Sequence, residues 1–372
     1  MAKKPDGHAS VTLKDVASRV GVTTAAASMA LSGHERISEK TRDAVRKAAD
    51  ELGYVPSSAG RALRKQRAGA IAVVVPNTSQ HVFGHLYFMH VLTGVASAAN
   101  EHDSQLIVST NPDEAHGVVA YERVMRSRTA DGAIVTSSAI DDPNIEALVK
   151  TGLPVVLIGN FPYLPDAVSV GIDDVRATEA ITEHLIDVHG VTAPVHVTGT
   201  LDHQTGVDRR EGFLRAVRAH GLDETSHIIE GDLSEASGAA AVEQLLADGI
   251  RFDGIVFAND DMALGGSRVL RSRGIRVPDD VAIVGFDDFG LARVATPALT
   301  TVRVPAEQMS RFAAEQLFRL IDGSAQGPTH HELDVELVLR ASCGCEHDDT
   351  EHVIPLRGEK PHGNDMQRSI SQ

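Results

Sequence analysis

Residues 11–33 read VTLKDVASRVGVTTAAASMALSG, and this stretch decides the fold of the amino-terminal part of the chain. Leu13, Val16, Ala17 and Val20 recur at i, i+3, i+4 and i+7, the spacing of one apolar helix face. Thr12 stands where a cap belongs, and Asp15 three residues on completes a capping box. Gly21 supplies a turn. A second helix is expected from about Thr24 to Ser32, with Ala27 and Leu31 facing inward. A third follows Ser38, an N-cap candidate, with Val45, Ala48, Ala49 and Leu52 as its stripe and Gly53 as its stop. Three short helices, the second set by a tight turn after the first, form a helix-turn-helix over residues 11–56.

Outward from this head, the charge is uneven. Residues 1–68 hold 13 Lys+Arg against 7 Asp+Glu, whereas the remainder holds 22 against 44, within a net formal charge of -16. A basic head on an acidic body is the pattern of a nucleic-acid module joined to something else. At 372 residues the chain exceeds a single hydrophobic core. It has no run of ~18 apolar residues, so no membrane span is expected. The first ten residues lack the apolar segment of a secretory signal; they are expected to be disordered, and the protein cytoplasmic.

VTLKDVASRVGVTTAAASMALSG, followed by ISEKTRDAVRKAADELGYVP, resembles the head of the LacI family of bacterial transcription regulators. The resemblance continues through IAVVVP (71–76), DRREGF (208–213), FANDDMALG (257–265), VPDDVAIVGFDD (277–288) and TPALTTVRVP (296–305). It implies that the second helix enters the major groove of operator DNA, with Thr24, Ala25 and Met29 facing bases. Thr12, Thr23, Ser28, Ser38, Thr41 and Tyr54 match further DNA-facing positions, several of which bond phosphates. Arg36 matches a loop position that reaches the groove. Met29 stands where the family usually has arginine and Ala27 where it usually has valine. The commonest specific contact, arginine to guanine, is therefore missing at this position. Thr, Ala and Met still offer apolar contact to thymine methyls.

YVPSSAGRALRKQRAG (54–69) reads as a short helix or linker, marginal on its own. The resemblance implies that residues 57–69 fold as a hinge helix only on the operator. There Leu63 would wedge between base steps and Arg61, with its basic neighbours, would meet phosphates. Gly60, in place of the usual alanine, makes that helix costlier by ~1 kcal/mol.

From residue 70 to 341 short apolar runs alternate with helical stretches. AIAVVV (70–75), QLIVS (105–109), GAIVT (132–136), PVVLI (154–158) and VSVGI (168–172) form one set. PVHVTG (194–199), HIIEG (227–231), GIVFA (254–258) and VAIVGF (281–286) form a second. Continuous apolar strands joined by helices predict parallel sheets covered on both faces. Two sets predict an α/β body of two doubly wound lobes with a cleft at the strand carboxyl ends. This is the periplasmic-binding-protein-like architecture that the resemblance implies, with lobe crossings near 172, 300 and 325–332. It also assigns effector contact to Tyr87, Phe88, Asp173, Arg209, Leu233, Asp260 and Asp287. A guanidinium fork suits ligand oxygens, and carboxylates accept from hydroxyls while rings cover an apolar ligand face. Leu233 is aromatic in a purine-binding relative, which argues against a purine and leaves a sugar as the favoured small-molecule effector.

An enzyme is the competing class. The acidic doublets at 173–174, 260–261 and 287–288 fit glycosidase carboxylates. Yet the chain has no Walker A loop, G-x-G-x-x-G, G-x-S-x-G or H-E-x-x-H, so neither catalysis nor a cofactor is expected. His81, His85 and His90 match no metal-ligand spacing. Cys343 and Cys345, as C-G-C, are too close for the common zinc spacings and read as free thiols. No metal site is expected. Residues 342–372 are polar without period and are expected to be mostly disordered. They lack the leucine heptads of a tetramer, so the expected assembly is a homodimer on double-stranded operator DNA.

Overall fold

A computed structural model describes residues 11–34, 36–54, 67–113, 118–127, 129–325, 329–345 and 352–357. The chain divides into two compact units, Met1–Gly69 and Ala70–Gln372.

In the first unit α1 (Leu13–Val20), α2 (Thr24–Leu31) and α3 (Glu39–Leu52) enclose Val16, Ala17, Ala27, Ala30, Val45, Ala48 and Ala49. The Asp15 carboxylate accepts both the Thr12 N–H (2.8 Å) and the Thr12 hydroxyl (2.6 Å), which hold Asp15 below the usual carboxylate range. Gly21 and Gly53, both with positive φ, end α1 and α3. Ala30 is a core residue that the sequence reading did not assign.

The second unit contains two parallel sheets. The first has the order β11-β5-β4-β3-β1-β2, with β1 (Ala70–Thr78), β2 (Gln105–Asn111), β3 (Gly132–Thr136), β4 (Val155–Ile158), β5 (Val168–Ile172) and β11 (His330–Leu333). The second has the order β7-β6-β8-β9, with β6 (Pro194–Thr198), β7 (His227–Glu230), β8 (Gly254–Phe257) and β9 (Ala282–Val284). Strand β1 shows why these runs are apolar throughout. Ile71, Val73 and Val75 enter one core layer while Ala72 and Val74 enter the layer on the opposite face.

Helices α4 (Ser79–Gly84), α5 (Leu86–Glu101), α6 (Val119–Ser127) and α7 (Pro143–Lys150) join strands of the first lobe. The second lobe carries α8 (Asp174–His189), α9 (Gln204–Ala219), α10 (Glu235–Ala247), α11 (Asp260–Ser272) and α12 (Leu291–Val294). Helices α10 and α11 meet at Gly265, where a Cβ would lie 1.9 Å from the Glu235 carbonyl oxygen. Helix α13 (Ala306–Asp322) returns to the first lobe and packs on α5. No described helix is long and apolar enough to cross a membrane.

A third, antiparallel sheet, β10-β12-β13, joins β10 (Thr301–Arg303), β12 (Val335–Leu339) and β13 (His352–Leu356). Two expectations change here. The last passage between lobes lies between β11 and β12, at Asp334, because residues 330–333 still pair with β5. The tail expected to be disordered contains β13, which pairs with β12 from Leu339↔His352 to Val335↔Leu356. Residues 341–343 also form a 3-10 turn with Cys343 buried. Docking onto an existing strand supplies the partner that a short polar segment lacks by itself.

Candidate functional site

In the head, the exposed corner is the start of α2. Thr23, Thr24 and Ala25 are exposed, Ser28 and Met29 are half-buried, and Ala27 and Ala30 turn into the core. The alanine run thus has two faces, one small enough to sit near α1 and α3, the other presenting little beyond methyl groups. Thr23 caps α2 by accepting the Ala26 N–H at 3.1 Å. Ser38 caps α3 by accepting the Thr41 N–H, and the two hydroxyls lie 2.8 Å apart. A hydroxyl that accepts in a cap keeps its own hydrogen, so Thr23 can still donate to a phosphate. Thr12 differs, because its hydroxyl hydrogen already goes to Asp15. Arg36 is exposed, and Tyr54 packs half-buried against the head core. Arg61 and Leu63 lie outside the described residues.

In the body, strand order dictates where a ligand fits. The chain leaves β1 for β2 on one side and returns to β3 on the other, and β6, β7 and β8 repeat this pattern. Such reversals open a crevice beyond the strand carboxyl ends. One cavity lies there, lined from the first lobe by Tyr87, Phe88, Thr136, Ser137, Ser138, Asn160 and Phe161. From the second it is lined by Asp174, Thr200, His203, Gln204, Arg209, Leu233, Asn259, Asp260, Asp261, Asp287 and Phe289. Ser137, Leu233 and Asp287 have positive φ of 55°, 68° and 116°. Strained backbone of this kind collects at ligand sites.

Arg209 is the fixed centre of the second lobe's wall. Its Nε donates to Asp174 Oδ1 at 2.8 Å, and its Nη1 donates to the Ala258 carbonyl. Nη1 also lies 3.8 Å from Asp287 Oδ1, and the guanidinium stands 3.6 Å from the Phe286 ring centroid. Asp287, at the turn after β9, has its carboxyl pushed up to about 7 by burial, against the pull of Arg209. Burial likewise raises Asp174, and Arg209 opposes it.

Asp260 lines the cavity, but its oxygens are already engaged. Oδ1 accepts the Thr301 hydroxyl at 2.7 Å, and Oδ2 accepts the Asp288 N–H at 2.8 Å. Burial, with the Asp287 charge next, puts its carboxyl well above the usual range. The cap of α11 is Asn259, whose Oδ1 accepts the Met262 N–H while Nδ2 donates to the Leu233 carbonyl at 2.8 Å. Tyr87 and Phe88 meet edge to face at 5.2 Å, and the Tyr87 hydroxyl lies 3.4 Å from Thr136 Oγ1. Burial raises that phenol to about 12.

Six of the seven residues assigned to effector contact line the cavity: Tyr87, Phe88, Arg209, Leu233, Asp260 and Asp287. Asp173 does not. It caps α8 by accepting the Arg176 N–H at 2.9 Å, and its neighbour Asp174 turns inward instead. The sequence reading missed Asn160, His203 and Gln204. Asn160 and Gln204 both donate to the buried Asp208, at 3.0 and 2.7 Å. Their positions just beyond β4 and β6 were the available signal. Of the histidines set aside as solvated, His85 Nδ1 sits 3.4 Å from Asp261, and His90 stacks on Phe289 at 4.9 Å. The side chain of His81 lies outside the described residues. Separately, His184, His189, Cys343 and Cys345 converge at the far end of α8.

The comparisons with known proteins agree with this anatomy. Residues 12–57 match the bacterial regulatory proteins of the lacI family, and residues 182–343 match the periplasmic binding protein-like domain. The HTH-type transcriptional regulator CelR of Thermobifida fusca is 34% identical over 337 residues, 89% of this chain and 98% of that protein. A solved CelR-cellobiose complex superposes with a TM-score of 0.68 at 32% identity, covering 89% of this chain and 99% of that one. The Lac repressor bound to ONPG in its repressed state superposes with a TM-score of 0.79 at 26% identity, covering 90% and 99%. With its helix-turn-helix head and two-lobed body, the chain belongs to the LacI family of bacterial regulatory proteins.

Proposed function

We propose that this regulator binds a near-palindromic operator as a homodimer, most simply as a repressor, and that a carbohydrate seated between the lobes sets its affinity. It works in the cytoplasm, where its DNA lies. The observation that carries the ligand reading is the composition of the crevice. Tyr87, Phe88, Phe161 and Phe289 offer ring faces, while Asp261, Asp287, Asn160 and Gln204 offer hydrogen-bonding groups at its walls. Rings against the apolar faces of a sugar and carboxylates against its hydroxyls are what a polyol needs. The cellobiose held by the CelR relative makes a gluco-configured disaccharide the first candidate.

Control follows from geometry. A ligand that bridges both lobes favours the closed arrangement by its difference in affinity for the two states, and operator binding shifts with it. Two-fold symmetry of the dimer maps onto paired half-sites. Within each half-site Thr24, Ala25 and Met29 face bases and Thr23, Ser28 and Ser38 face phosphates, with Arg36 beside the groove. Arg61 and Leu63 act at the minor groove between them.

The cleft binds without turnover. Asp260 is tied to Thr301 and Asp288, and Asp174 to Arg209. Asp261 and Asp287 remain to accept a sugar's hydroxyls, and turnover by that pair is the outcome that would count against this reading. A thermal-shift screen of mono- and disaccharides and nucleobases is the test, since the chain has no tryptophan to report binding. A carbohydrate at ~100 times its Kd stabilises by about 2.7 kcal/mol. Stabilisation by a nucleobase alone, or multiple-turnover hydrolysis of the bound sugar, would refute the reading.

A further inference from the structure

The carboxyl-terminal end of α8 faces the 3-10 turn after β12, and four soft or borderline ligands meet between them. His184 and His189 come from the helix; Cys343 and Cys345 come from the C-G-C turn. Their ligand atoms all lie within 4.8 Å of one another. The two Nε2 atoms are 3.3 Å apart. Cys345 Sγ lies 3.3 Å from His189 Nε2 and 3.5 Å from His184 Nε2, and Cys343 Sγ lies 3.6 Å from His184 Nε2.

These separations have a simple meaning. Zinc bonds of ~2.05 Å to nitrogen and ~2.3 Å to sulfur, at tetrahedral angles, place two nitrogens ~3.3 Å apart and nitrogen from sulfur ~3.6 Å apart. The four edges given above lie within about 0.3 Å of these values, and the other two, from Cys343 Sγ to His189 and to Cys345, are no longer than 4.8 Å. Two thiolates also neutralise a divalent ion, which suits a site where Cys343 is buried and Cys345 half-buried. From these distances and this donor set, we infer that His184, His189, Cys343 and Cys345 form a closed structural site for one zinc ion.

The one-residue spacing between the cysteines is what makes the site reachable. Gly344 has φ 103°, and a Cβ on it would stand 3.0 Å from His189 Nδ1. A glycine there folds both thiols toward one point and lets the His189 ring lie against the turn. Zinc motifs are usually recognised by pairs of ligands within short stretches, whereas His184 and Cys345 are 161 residues apart. The Thr300 hydroxyl lies 2.9 Å from the Arg340 carbonyl and 3.0 Å from Cys343 Sγ, so its one hydrogen can turn from the carbonyl to a bound thiolate. The Cys343–Arg340 carbonyl contact at 3.3 Å is a thiol bond that metal binding gives up. With all four positions filled by protein, no place remains for water, so the ion pins rather than reacts. It fastens the turn between β12 and β13 to the second lobe.

The test uses full-length protein without a histidine tag, purified in reductant, with elemental analysis and cobalt(II) substitution. One zinc per chain is expected, together with the visible bands of tetrahedral cobalt and a thiolate-to-cobalt charge-transfer band after exchange. Chelation should lower Tm, and re-addition of zinc should restore it. Cys345→Ser and His189→Ala should each retain less than a tenth of the bound zinc at equal protein concentration. Should these variants fail to fold, the wild-type cobalt spectrum decides by itself. Absence of both zinc and the charge-transfer band would overturn the assignment. So would a Cys343–Cys345 disulfide in the reductant-purified protein, or full zinc retention by the variants.

Discussion

Replacing Arg209 with methionine should destabilise the protein by about 4 kcal/mol at pH 8 and abolish the response to effector. The magnitude comes from three groups that lose their partner. Asp174, 7% exposed, would be left with a buried unpaired carboxylate, a loss of roughly 3–5 kcal/mol when ionised. The Ala258 carbonyl would lose its donor, at roughly 1–3 kcal/mol. The cation over Phe286 adds roughly 0.5–2 kcal/mol. These losses do not add, since Asp174 can escape by taking up a proton. That escape gives the prediction its signature. The Asp174 carboxyl already sits above its usual range, and removing Arg209 raises it further. The variant therefore loses less at pH 5 than at pH 8. Urea midpoints at both pH values test this, alongside Arg209→Met/Asp174→Leu, which should recover at least about 1 kcal/mol by removing the stranded charge. A loss below about 1 kcal/mol at pH 8, no pH dependence, or a double variant no better than the single one would refute the reasoning.

Three further outcomes follow from contacts elsewhere in the molecule. Asp287 titrates at about 7 when folded and ~3.9 when unfolded, so its proton favours the fold. That contribution is complete below pH ~4 and is lost as pH rises to 7 and beyond. Asp287→Asn should flatten the fall in Tm between pH 5 and 8; an unchanged pH profile would reject this assignment. Gly265→Ala should lower Tm by more than about 5 °C, because the new methyl meets the Glu235 carbonyl backbone; unaltered melting would show that α10 and α11 part freely. Leu63→Ala should weaken operator binding at least about tenfold in gel shifts while ligand binding is unchanged; equal operator affinity would remove the wedge.

Much of this anatomy was legible in the sequence for identifiable reasons. The nine apolar runs became strands because both faces of a parallel sheet are buried, which leaves a continuous signal. Arg209 was legible through the resemblance, which matched DRREGF to an effector position, and the side chain lines the cavity. Asp173 was misplaced by one residue. Both Asp173 and Asp174 follow β5, and only the turn into α8 decides which one caps and which one faces inward. Strands β10, β11, β12 and β13 carry weak or short patterns and owe their form to neighbours far along the chain. Val353 and Ile354 sit in a polar tail and register as a strand only once β12 is in place. The cluster of His184, His189, Cys343 and Cys345 obeyed no spacing rule because its two halves are far apart in the chain, 161 residues from His184 to Cys345.

The most direct measurement is binding of a labelled symmetric duplex, selected from random oligonucleotides by the protein itself, followed by fluorescence anisotropy with and without saturating effector. The account predicts two chains per duplex and an affinity that changes by about tenfold or more when the sugar fills the crevice. An affinity indifferent to every ligand shown to occupy the crevice, or a selection that enriches no two-fold site, would contradict it.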